Sequence, residues 1–170
     1  MKDFSNYYKA LKYAFTNYGD LKRRSGAPYI IHPIRMTSIL RAAGFTEFEN
    51  EDIMIAALFH DLLEDTDTSI TQIANQFGNK VASIVKELTK PEQVDKNEWL
   101  KSFGAMSKEA KIIKIIDRID NLMDMSIDYW PIEKQKSYAK QGKIILEKCG
   151  KAHSELALLL KNTIENILSD

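Results

Sequence analysis

The sequence predicts an all-α fold, a single domain of roughly eight or more helices around one core. Three observations predict it. Apolar residues recur at helical spacing along most of the chain, and the period-two alternation of strands is nearly absent. Only 4 Pro and 7 Gly interrupt the pattern, so helix ends can be placed. Ser or Thr with Glu or Gln three residues on stands ahead of two apolar runs, a helix-start signal.

A first helix is expected over about Tyr7–Asn17, with Tyr8, Leu11, Ala14 and Phe15 as its apolar face. Gly19–Tyr29 reads as a polar, basic turn region containing Lys22-Arg23-Arg24-Ser25-Gly26. Pro33 suits the first turn of a second helix that ends near Gly44. Thr46-Glu47-Phe48-Glu49 reads as a capping box for the helix that carries His60. Ser69-Ile70-Thr71-Gln72 reads as another, for a helix stopping at Gly78. A further helix covers about Lys80–Leu88.

Lys90–Met106 is polar and weakly periodic, and is expected to be a long loop or lid. Ser107 starts a strong helix through Met125. Pro131 opens one to about Cys149, and Ala152–Leu168 forms the last. Leu156, Leu159, Leu160, Ile164 and Ile167 are expected to turn that last helix toward the core.

Composition narrows the function classes. A chain of 170 residues, 44% hydrophobic and 28% charged, suits a soluble globular protein with a core of its own. Lys plus Arg equals Asp plus Glu at 24 each, so no global field points to a nucleic-acid polymer or an anionic membrane. The single cysteine, Cys149, excludes an intrachain disulfide and is expected to be a small buried residue, not a nucleophile. Met1–Asp20 has no apolar signal segment, and no apolar run reaches the ~18 residues of a membrane span. A cytoplasmic protein is expected.

Chemistry concentrates in three segments. Phe59-His60-Asp61-Leu62-Leu63-Glu64-Asp65-Thr66 places His60 and Glu64, and Asp61 and Asp65, four residues apart on one expected helix. Packing alone does not ask for three acids just beyond the apolar run Ile53–Phe59; a metal ion with a water to activate does. Asp117 and Asn121 lie one turn apart on an Ile-rich helix, with Lys114 and Arg118 flanking Asp117. That grouping fits a metal-plus-phosphate edge, and equally a solvated face of local ion pairs. Lys111, Lys114 and Arg118 recur at i, i+3 and i+7 as one cationic stripe. His32 precedes Pro33 after an apolar tripeptide, whereas His153 is expected at a surface or cap. His32, His60, Asp61 and Asp117 together make a mixed nitrogen and oxygen set for a divalent ion with open water positions. Ligands poor in cysteine argue against structural zinc; manganese, iron, cobalt and zinc all fit by ligand type.

This pattern of a histidine, a His-Asp pair and a distant aspartate on helices resembles the HD superfamily of metal-dependent phosphohydrolases. It is most similar to the hydrolase domain of RelA/SpoT enzymes and to the stand-alone small alarmone hydrolases. The residues that carry the resemblance are Arg23-Arg24-Ser25-Gly26-Ala27-Pro28-Tyr29-Ile30-Ile31-His32-Pro33, His60 to Thr66, Asp117 to Leu122, and Trp130-Pro131 with Tyr138. The resemblance covers about residues 5–168 and implies an HD-domain helical bundle.

It further implies a manganese ion held by His32, His60, Asp61 and Asp117. Glu64 and Asp65 would position or deprotonate the attacking water. Arg23 would hold the guanine base and Arg24 the base or a phosphate, Asn121 the ribose or 3′-phosphate side, and Tyr138 the nucleotide pocket. Apart from the resemblance, the stripe of Lys111, Lys114 and Arg118 near Asp117 is expected to bind the 5′-phosphates or offset transition-state charge. The implied reaction is hydrolysis of the 3′-pyrophosphate of (p)ppGpp to GDP or GTP plus pyrophosphate. The implied partner is therefore a guanine nucleotide, with no nucleic acid and no membrane. Arg24 stands where the family usually has lysine, and Asp120 where it often has His or Tyr. Another HD nucleotide phosphohydrolase, including one acting on the 2′-phosphate of NADPH, and a non-catalytic nucleotide sensor remain open. So does the oligomeric state.

Overall fold

A computed structural model of the protein describes residues 5–126 and 128–169. Among them there is helix and turn but no strand; a lone antiparallel bridge joins Lys22 and Pro28. The chain divides into two compact units, Met1–Pro91 and Glu92–Asp170.

In the first unit α1 (Ser5–Tyr18), α2 (Ile31–Ala42) and α6 (Asn79–Leu88) pack on α3 (Glu51–Phe59). Beyond the acidic Glu51 and Asp52 of its first turn, α3 is apolar all round, and every residue from Ile53 to Phe59 is buried. A helix with no polar face belongs at the centre of a core. Each large side chain so buried contributes about 1.5–3 kcal/mol. The short α4 (Leu62–Asp65) follows, then α5 (Ile70–Phe77), which pairs with α6.

The expected face of α1 is corrected. Tyr7, Ala10, Ala14 and Tyr18 are buried, while Tyr8 and Phe15 are about two-thirds exposed, at 66% and 65%. Two small alanines let α1 approach α3 closely. The polar ends of its buried tyrosines are satisfied: the Tyr18 hydroxyl donates to Leu58 O at 3.2 Å, and that of Tyr7 reaches Thr37.

One helix start differs from expectation. Thr46 Oγ1 accepts from Glu49 N at 3.2 Å, but this closes a separate turn whose other end is Asn50 Oδ1 on Thr46 N. α3 begins only at Glu51. The Ser69 capping box forms as expected, with Gln72 returning to Ser69 N at 2.7 Å. Gly78 (φ +91°) then turns the chain from α5 into α6.

The second unit contains α7 (Lys96–Ser102), α8 (Lys108–Met123), α9 (Ile132–Cys149) and α10 (Ser154–Ser169). The last three pack mutually, and α7 lies on α9. The expected loop Lys90–Met106 is thus partly helical. Asp95 caps α7 by accepting from Asn97 N at 2.8 Å and Glu98 N at 3.4 Å, while Leu100 and Phe103 are buried beneath it. Ser107 caps α8, and Pro131 stands at the cap of α9. His153 Nδ1 accepts from Leu156 N at 3.4 Å, a capping role. Cys149 is buried, as are Leu156, Leu160 and Ile164 of α10; Leu159 and Ile167 are half-buried.

Candidate functional site

The His-Asp pair sits where a helix breaks. α3 ends at Phe59, His60 is its C-cap, and Asp61 (φ −111°, ψ 2°) is the N-cap of α4. His60, Asp61, Glu64 and Asp65 therefore do not share one continuous helix, as the spacing had suggested. The bridge-region backbone of Asp61 separates two helical pieces and sets the acids beyond it on a new axis.

This break brings together residues far apart in sequence within the first unit. His32, on the first turn of α2, and His60 are both buried, and their Nε2 atoms lie 3.2 Å apart. Asp61 Oδ2 is 2.8 Å from His60 Nε2. The Nδ1 of His60 faces Ala57 O at 3.0 Å. A carbonyl only accepts, so Nδ1 carries the proton and Nε2 presents its lone pair to the cluster. Two buried lone-pair nitrogens beside a carboxylate repel unless a cation or a proton lies between them. That donor set, with the far nitrogen anchored on a backbone carbonyl, fits a divalent metal. The His/Asp cluster can hold a divalent cation.

Tyr29 completes this cluster, and the sequence reading had left it without a role. Its hydroxyl donates to Asp61 Oδ2 in a short hydrogen bond. Its ring packs edge-on to His32, and Arg23 lies over it at 5.7 Å from the centroid. Burial, with Asp61 beside it, holds the phenol protonated far above its usual range. The clue in the sequence was its place three residues ahead of His32 in an otherwise apolar run. Arg23 is positioned by a tight turn in which its N–H donates to Ala27 O at 2.8 Å. That turn needs a left-handed residue, supplied by Gly26 (φ +85°). Arg24 is exposed.

Glu64 and Asp65 border an open cleft of about 650 Å³ lined also by Asn17, Tyr18, Asp20 and Asp67. One oxygen of Glu64 accepts from the Lys90 amide at 2.7 Å. Burial, then the negative charges of Asp61 and Glu64, raise the pKa of Asp65 above the usual carboxylate value.

The remaining expected residues belong to the second unit. Asn121 Nδ2 donates to Asp117 Oδ1, one turn apart on α8 as the spacing required. Lys114 and Arg118 are not on a solvated face. They are 6% and 5% exposed. The Lys114 ammonium lies 4.4 Å from the centre of the Trp99 ring and 5.6 Å from that of Phe103. The Arg118 guanidinium stacks on Tyr138 at 3.6 Å and donates to Tyr138 O at 2.9 Å. Aromatic faces stabilise these buried cations. Asp120 is buried too, not turned to solvent. Lys96 also faces Tyr138, at 5.7 Å, and burial followed by the charges of Arg118 and Lys134 lowers its pKa.

An HD-domain family model matches residues 10–148. A guanosine-3′,5′-bis(diphosphate) 3′-pyrophosphohydrolase from Aquifex aeolicus is 34% identical over 78% of this chain, which spans only 19% of that protein's length. A protein named guanosine-3′,5′-bis(diphosphate) 3′-pyrophosphohydrolase MESH1 from Drosophila melanogaster is 28% identical, over 92% of this chain and 91% of its own. The MESH1 of Danio rerio is 33% identical, over 69% and 68%. Among solved structures, a metazoan ortholog of SpoT described as hydrolysing ppGpp superposes with a TM-score of 0.87. It is 27% identical and covers 98% of this chain and 97% of its own. No helix among the described residues is long and apolar enough to cross a membrane.

Proposed function

We propose a function from one premise: the chain belongs to the HD-domain family and, within it, to the MESH1 proteins. It is a manganese-dependent hydrolase that removes the 3′-pyrophosphate of (p)ppGpp, leaving GDP or GTP. The observation that carries this reading is the pairing of His32 and His60 beside Asp61, with the His60 tautomer fixed by Ala57 O. The names of the relatives support the substrate.

His32, His60 and Asp61 would hold the ion, with Asp117, from the sequence pattern, as a further ligand. A divalent ion supplies Lewis acidity, acidifying water and offsetting phosphoryl charge. Asp65, its pKa raised by burial and by the charges of Asp61 and Glu64, takes the proton of the attacking water. Glu64, held by the Lys90 amide, orients that water. Tyr29 fixes the rotamer of Asp61.

Arg23 and Arg24 hold the guanine end of the substrate. Asn121 contacts the ribose side and Tyr138 lines the base pocket. Lys114 and Arg118 supply positive charge toward the phosphates, held in place by their rings. The family match runs through both compact units, which we take to act as one domain. The enzyme works in the cytoplasm on a free nucleotide.

The test is to incubate manganese-loaded protein with ppGpp and separate products by anion-exchange chromatography, beside Glu64→Ala. GDP and pyrophosphate, lost in the variant by on the order of 10²-fold, support the assignment. An intact substrate with metal bound and fold retained overturns it, and NADPH is then the next substrate to assay.

A further inference from the structure

Lys111 leaves the cationic stripe that the spacing suggested. Lys114 and Arg118 turn to aromatic rings, but Lys111 lines a separate open cleft of about 650 Å³ with Gly104, Lys108, Glu147, Lys148 and Lys151. The volume lies within the range of small-molecule sites. Four ammonium groups meet one carboxylate there, and Lys148 already engages it, Nζ to Glu147 Oε1 at 2.7 Å. Among the described residues Lys108, Lys111 and Lys151 make no ion pair.

The dipole of α9 favours Lys148 in its last turn, but stability of the fold does not explain Lys108 and Lys111. Lys108 and Lys111 occupy the first turn of α8, where the positive end of the helix dipole disfavours a cation by about 0.3–1 kcal/mol. Lys148 and Lys151 come from the end of α9 and the 3-10 turn after it, and bring like charge to the same place. The buried Cys149 thiol also lines the cleft, and among the charges acting on it are Lys111 and Lys114, which favour the thiolate. Lysines, a helix N-terminus and open volume all favour one kind of ligand, an extended anion.

We propose that this cleft binds a chain of two or more linked phosphates, either free or as the phosphate tail of a nucleotide. The site stands apart from the hydrolase reading, since none of its residues is assigned to that reaction. It gives the protein a second place at which a polyphosphate-bearing metabolite is sensed.

Inorganic tripolyphosphate is titrated calorimetrically into the full metal-free chain and into Lys108→Gln/Lys151→Gln. Both residues are exposed. The wild type is expected to bind, the double variant to bind on the order of tenfold more weakly, and added salt to weaken the wild type. Absence of binding by the wild type, or equal affinity in the variant, overturns the proposal. Should the variant not fold, lysine acetylation of the wild type is read by mass spectrometry with and without tripolyphosphate. Selective protection of Lys108 and Lys151 over Lys140 and Lys143 supports the site, and uniform labelling overturns it. A nucleoside 5′-triphosphate titrated in parallel separates the sources. Affinity matching tripolyphosphate assigns the phosphates alone, and tighter binding, lost in the double variant, assigns a nucleotide tail.

Discussion

His60 points its Nδ1 at the carbonyl of Ala57 and its Nε2 at the Nε2 of His32, 3.2 Å away. The first contact fixes which nitrogen carries the proton, and the second fixes where the lone pair is needed. His60→Ala is therefore expected to lower manganese affinity by at least about 100-fold with the helical fold retained. Metal content after dialysis, with far-ultraviolet circular dichroism, checks this. Stoichiometric manganese in the variant would remove His60 from the ligand set.

Tyr29 predicts a pH effect with a definite sign. In the proposed role of base, Asp65 must be ionised to accept a proton, and its raised pKa then puts the acid limb of kcat/KM above the usual carboxylate range. The Tyr29 hydroxyl hydrogen bond lowers the Asp65 pKa, against the larger effects of burial and neighbouring acids. Tyr29→Phe therefore moves the acid limb to higher pH and lowers kcat at neutral pH, by about tenfold or more for a lost contact to a metal-ligating carboxylate. An unmoved limb in the pH profile of the variant would contradict the link.

The aromatic seats of the buried cations are expected to support the fold as well as the substrate. Arg118→Ala removes a charge-assisted hydrogen bond to Tyr138 O and a stacked guanidinium, a loss of about 2–4 kcal/mol. Arg118→Lys keeps the charge but loses the planar stack, and is expected to recover part of that loss. Urea midpoints of the three proteins check the order. Equal midpoints would mean that the stack contributes nothing to stability.

Cys149 is a structural thiol. Burial pushes it from the ordinary 9.0 up to about 11. A thiol raised in the folded state adds stability below its unfolded pKa and loses it as pH rises from 9 toward 11. Labelling by a disulfide reagent near pH 8 is expected to be slow in the native protein and complete in urea. Rapid native labelling would place the thiol at the surface.

Local signals were legible in the sequence because they are local. Ser69 with Gln72, Ser107 and Pro131 mark helix starts that depend only on neighbouring residues, and each stands where it was read. The Asp117–Asn121 contact follows from helical pitch alone. What tertiary packing decides was not legible. On α1, the Tyr8 and Phe15 stripe and the Tyr7, Ala10, Ala14, Tyr18 stripe both have helical spacing, and only the partner helix chooses between them. The break at Asp61 carries no Gly or Pro to announce it. Lys114 and Arg118 read as surface cations because Trp99, Phe103 and Tyr138, which cover them, lie on other helices. Asp95 with Glu98 was a readable cap, hidden in a segment of weak periodicity.

The most direct measurement is the time course of phosphate species released from ppGpp by the manganese-loaded full chain, beside Asp61→Ala. The account predicts one pyrophosphate per ppGpp consumed, no orthophosphate, and no release by the variant. Release of orthophosphate, or equal turnover by Asp61→Ala, would contradict it.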